Sequence, residues 1–122
     1  MKYLGIDYGT KKAGLAVSDG KLADPLMVLR FENEEELIKK VNNIIQREKI
    51  EKVVVGVSEN EMGKMSKEFA KKINAVTFDE TLTSKDAVNY AILAGVPKQK
   101  RRKNEDAYAA TIMLQNYLDS IK

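Results

Sequence analysis

The chain has 122 residues, 43% of them hydrophobic and 32% charged, with a formal net charge of +3. It contains no cysteine and no histidine. That excludes disulfides, thiolate chemistry, imidazole metal ligands and every Ser-His-Asp arrangement, leaving carboxylates, lysines and hydroxyls for any chemistry. The length fits a single domain over residues 1–122. With no leader pattern before the first strand and no apolar stretch able to span a bilayer, a soluble cytoplasmic protein is expected. An enzyme built from this alphabet would hold a hard cation through oxygen ligands. The mild positive charge permits nucleic-acid binding without requiring it.

The first two elements lie in YLGIDYGTKKAGLAVSD, Tyr3 to Asp19. An apolar run ends on Asp7, crosses a turn containing Gly9 and two lysines, and resumes from Ala13 to Ser18 as a hairpin partner. A carboxylate at the end of a rigid strand is held in position, which suits metal or phosphate chemistry. Leu26 to Phe31 reads as a third strand, with Pro25 before it. Asn33 then precedes three glutamates that complement a helix N-terminus, and Leu37, Ile38, Val41, Ile44 and Ile45 recur at helical spacing. The unbroken run Val53 to Val57 predicts a strand buried on both faces.

A second helix is predicted from the stripe Met62, Met65, Phe69 and Ile73, its methionines read as core filler. Ala75 to Phe78 is a short strand ending on Asp79 and Glu80. Thr83 caps a further predicted helix running to about Gly95. Lys98 to Lys103 (KQKRRK) reads as an exposed basic loop. The last helix is predicted from about Asn104 to Ser120, with Ala107, Ala110, Thr111, Leu114, Tyr117, Leu118 and Ile121 on one face. Three hairpin strands followed by alternating helices and strands describe an α/β domain: a mixed five-stranded sheet covered by helices.

Asp7, Glu80 and Asp106 each stand at the end of an element. Each also has a purely structural explanation: a turn for Asp7, helix-entrance solvation for Glu80, and a favourable meeting with the helix dipole for Asp106. If the first, fourth and fifth strands are neighbours, the ends carrying Asp7 and Glu80 face one side, and Asp106 can reach in from the last helix. Three such acids repel one another unless a divalent ion neutralises them. Two magnesium or manganese ions about 4 Å apart stabilise the attacking and leaving oxygens in phosphodiester cleavage. Lys98, Lys100, Arg101 and Arg102 would supply phosphate contacts beside this site, with Lys11, Lys12, Lys64 and Lys85 as helpers. Tyr8 is either a base-stacking residue or packing.

Taken together, GIDYGTKKAGLAVSD, VVVGVSENEMG, FDETLTS and NEDAYAATIMLQNYL resemble, in order and over nearly the whole chain, the motifs of the YqgF/RuvX group within the RNase H-like superfamily. These are nucleases linked to Holliday junction resolution and to pre-16S rRNA processing in ribosome biogenesis. The resemblance implies an RNase H-like fold and structured nucleic acid as partner, either pre-rRNA or branched DNA. It also implies Mg2+ or Mn2+ as cofactor and Asp7, Glu80 and Asp106 as the metal-binding catalytic acids. Two positions depart from the pattern. Lys12 stands where arginine is common, and Thr81 follows Glu80 where arginine is frequent, so a planar two-pronged phosphate contact is missing at both. Two other functions fit parts of the pattern. DYGT also resembles the phosphate-gripping turn of actin-like ATPases, and the modest charge with Thr81 fits a noncatalytic nucleic-acid-binding ribosome-assembly factor. A monomer would favour end processing, because junction resolution needs paired sites as in a homodimer.

Overall fold

The computed structural model describes residues 1–57, 61–79 and 105–121. The elements in chain order are β1 (Tyr3–Asp7), β2 (Lys12–Ser18), β3 (Ala23–Arg30), α1 (Glu34–Arg47), β4 (Lys52–Val57), α2 (Glu61–Lys72), β5 (Val76–Asp79) and α3 (Glu105–Ser120). The helix expected between Thr83 and Gly95 and the basic segment Lys98 to Lys103 lie outside the described residues. The strands form one sheet in the order β3-β2-β1-β4-β5. β1–β2 and β2–β3 are antiparallel, whereas β1–β4 and β4–β5 are parallel. The first, fourth and fifth strands are therefore neighbours, as the sequence requires for a shared site at their C-terminal ends.

Period-two alternation divides the core between the two sheet faces. Leu4, Ile6, Leu15, Val53 and Val55 pack with Leu37 and Val41 of α1 and Phe69 of α2. On the opposite face Ala16 and Val54 pack with Ala110, Met113, Leu114 and Leu118 of α3. β4 thus contributes to both layers, which is why its sequence is an unbroken apolar run. Gly5 lets α3 lie close to the sheet: a Cβ at this position would stand 2.9 Å from Leu114 Cβ and 3.4 Å from the Ala110 carbonyl oxygen.

Three boundaries or faces differ from the sequence reading. β3 starts at Ala23 and contains Pro25, rather than beginning after it. The strand tolerates proline because it is the sheet edge and because its register with β2 shifts between Leu15 and Ala16, a bulge where a ladder donor is dispensable. In α2 Gly63, Ser66, Phe69 and Ala70 are buried and Ile73 just beyond it packs against the core, while Met65 is 41% exposed. Met65 is therefore not core filler. A small serine beneath the sheet is invisible to a search for apolar periodicity, so the predicted stripe was rotated by one residue at that turn. In α3 Ile121 is 53% exposed because the helix has ended at Ser120, and Met113 is buried instead.

The ends of α1 and α2 follow local chemistry. The Asn33 side chain accepts a hydrogen bond from the Glu36 N–H at 2.9 Å, capping α1. At the C-terminus Lys49 takes a left-handed conformation, and the Ile50 N–H reaches the Ile45 carbonyl. The same pattern closes α2, with Asn74 left-handed and the Ala75 N–H on the Ala70 carbonyl. Among the described residues no helix is long and apolar enough to cross a membrane.

Candidate active site

Asp7 is the last residue of β1 and is flanked in the sheet by Gly14 of β2 and Gly56 of β4. Paired residues share a face, so neither neighbour places a side chain beside the carboxylate. Gly5 and Asp7, two apart on the strand, share the face covered by α3. That helix runs antiparallel to β1: Tyr117 near its C-terminus packs edge-on against Tyr3 at 6.3 Å between centroids, and Ala110 and Leu114 sit over Gly5. Its N-terminal turn, which includes Asp106, is therefore directed toward the end of the sheet where Asp7 lies.

The turn after Asp7 is shaped by close backbone approach. A Cβ on Gly9 would stand 2.5 Å from the Lys12 carbonyl oxygen, so a side chain there is obstructed, as the sequence reading expects. Residues 7–12 and Arg30 line a cleft of about 390 Å³. Lys11 and Lys12 are exposed in it. Arg30 was missed in the sequence because it ends an apolar strand read only for its hydrophobic pattern. The available signal was that it is the single charge in LMVLRF.

Tyr8 is packing and not a base-stacking surface. It is 7% exposed, its ring lies 4.8 Å from that of Phe69 and 6.4 Å from that of Phe31, and its hydroxyl donates to Glu34 Oε2 at 3.0 Å. Glu34 also pairs with Lys72 at the end of α2. Burial, then the accepting Glu34 carboxylate, push the Tyr8 phenol up to about 12. The residue following Asp7 is thus fixed to the start of α1 and the end of α2, which holds the end of β1 in place.

Of the other residues singled out in the sequence, Lys64 is exposed on α2. Glu80, Thr81, Lys85, Lys98, Lys100, Arg101 and Arg102 lie outside the described residues. Among the described residues no group of three or more acids stands together as a metal site.

Comparison with known proteins agrees with this architecture. The chain is 38% identical over 133 aligned positions to a protein of Rickettsia canadensis (strain McKiel) named "Putative pre-16S rRNA nuclease", covering 98% of this chain and 86% of that one. A protein of the same name from Rickettsia felis (strain ATCC VR-1525 / URRWXCal2) is 35% identical over the same shares. Among solved structures, T. thermophilus RuvC in complex with a Holliday junction substrate superposes with a TM-score of 0.62 at 16% identity, covering 100% of this chain and 97% of that one. Fowlpox virus resolvase, in a complex with Holliday junction DNA, gives 0.66 at 12% identity with 99% of each chain covered. At these identities the two structures establish the fold, an RNase H-like mixed sheet with flanking helices. The family model described as RuvX, Holliday junction resolvase, matches residues 1–120, and the chain belongs to that family.

Proposed function

We propose that this protein is a metal-dependent nuclease that hydrolyses phosphodiester bonds in structured nucleic acid, with the 5′ end of pre-16S rRNA as its first substrate and branched DNA as the alternative. The observation that carries the reading is that Asp7, between two glycines at the end of β1, lies at the end of the sheet toward which α3 runs with its N-terminal turn. Four residues along a helix advance about 6 Å and two along a strand about 6.6 Å. The step from Ala110 back to Asp106 therefore matches the step from Gly5 to Asp7. Glu80 follows directly on the end of β5, which β4 joins to β1 in parallel. Family membership and the names of the relatives support nuclease chemistry, and the rRNA-processing names favour the first substrate.

The donor set fits a hard cation. Its oxygens come from carboxylates, the chain offers no cysteine or histidine, and Asp7 sits on a strand end whose paired neighbours on both sides are glycines. Asp7, Glu80 and Asp106 would hold magnesium or manganese, which when bound stabilises charge on the attacking and leaving oxygens of the phosphodiester. The protein's own part is positional. Tyr8 and Glu34 fix the strand end that carries Asp7, and the cations of the cleft draw the nucleic-acid backbone to it.

The test is cleavage of a precursor rRNA 5′ end and of a four-way DNA junction in magnesium and in manganese. Asp7→Asn should reduce cleavage at least about a hundredfold, the scale of losing a group that stabilises transition-state charge, with an unchanged urea midpoint. Wild-type cleavage by that variant would refute the site. Stabilisation by manganese and not by ATP in a thermal-shift assay separates this reading from an actin-like ATPase.

A further inference from the structure

We propose that Arg30 is a phosphate-binding residue which, with Lys12, holds the substrate backbone one phosphate away from Asp7; this rests on the nuclease reading above. Lys12 and Arg30 are direct partners in the antiparallel β2–β3 pair, and Asp7 pairs with Gly14, two residues along β2 from Lys12. Strand alternation therefore puts Asp7, Lys12 and Arg30 on one face. Lys12 lies about 6.6 Å beyond Asp7 along the strand direction, and Arg30 about 4.8 Å further across the sheet. All three line the same cleft.

Lys12 and Arg30 stand directly opposite one another in the sheet, and with Lys11 they bring cationic side chains to the cleft that Asp7 also lines. A nucleic-acid strand laid across the cleft would bring its phosphates to these cations. The guanidinium also adds what the lysines lack, a planar fork that grips two phosphate oxygens at once. The end of β3 is already fixed for this role. The Phe31 N–H donates to the Lys11 carbonyl at 3.0 Å, and Lys40 Nζ donates to the Arg30 carbonyl at 2.7 Å. Lys40 is itself paired with Glu36.

The experiment measures binding of a labelled single-stranded RNA and of a four-way DNA junction by fluorescence anisotropy in EDTA, between about 50 and 200 mM salt, so that cleavage plays no part. Arg30→Gln should lower the slope of log affinity against log salt by about 0.7 on RNA or about 0.9 on DNA, the loss of one phosphate contact. Its deficit against wild type should consequently shrink about threefold across that salt range. Arg30→Lys should restore the slope but not the full affinity, because charge returns without the fork. A fall on either nucleic acid supports the role and identifies the substrate it serves. An unchanged slope in Arg30→Gln, or an equal fall in Lys39→Gln on the exposed side of α1, would overturn it while leaving the nuclease reading intact. If wild-type protein bound neither probe, the nucleic-acid reading itself would fall, and this inference with it.

Discussion

Replacing Gly5 with alanine inserts a methyl group where α3 meets β1. The new Cβ would lie 2.9 Å from Leu114 Cβ and 3.4 Å from both Leu114 Cδ2 and the Ala110 carbonyl oxygen. Carbon atoms pack comfortably at about 3.5–4.0 Å, and Leu114 Cβ cannot rotate away because it is fixed to the helix backbone. The helix must therefore lift by roughly 0.6–1 Å. Overpacking of this kind costs about 1–3 kcal/mol, while restricting the unfolded chain returns about 0.4–1 kcal/mol. A net loss of about 1–2 kcal/mol is expected. With a urea dependence of about 1–3 kcal/mol per molar, the denaturation midpoint should fall by roughly 0.5–1 M. Activity should suffer more than stability, because α3 carries the proposed metal ligand Asp106 in its first turn and a shift of about 1 Å in a catalytic constellation can cost a hundredfold in rate. A Gly5→Ala protein with the wild-type midpoint and cleavage rate would refute the close seating of α3 on the sheet.

The remaining predictions concern the other face. The Tyr8 phenol is held up to about 12 by burial and then by Glu34, whereas an unfolded tyrosine titrates near 10. Its contribution is therefore complete below about pH 10 and lost as pH rises toward 12, on the order of 2 kcal/mol. Urea denaturation of wild type and Tyr8→Phe across that range should show the difference, and a parallel pH dependence in the two proteins would count against it. In α2, Phe69→Ala should cost about 3–5 kcal/mol, whereas Met65→Lys should stay within about 0.5 kcal/mol. Comparable losses at both positions, measured by thermal unfolding, would restore the methionine-lined face that the sequence implies.

Sequence alone determined the strand ending on Asp7, the hairpin, the buried run of β4 and the amphipathic α1, because each rests on local rules of alternation, helical spacing or capping. It also identified the family, because four motifs in order are far more specific than any one of them. Only the tertiary structure decided which way α2 turns, since Ser66 and Met65 exchange their expected places through packing against the sheet. Pro25 enters a strand because β3 is an edge with a bulge, a property of its neighbours rather than of the residue. The glycines at 14 and 56, distant in sequence, became meaningful once strand register set them on either side of Asp7. Arg30 likewise joined the cleft only through its pairing with Lys12. Local chemistry writes the elements into the chain, but which side chains share a face and a cleft depends on register between segments far apart, and that is settled only when the sheet closes.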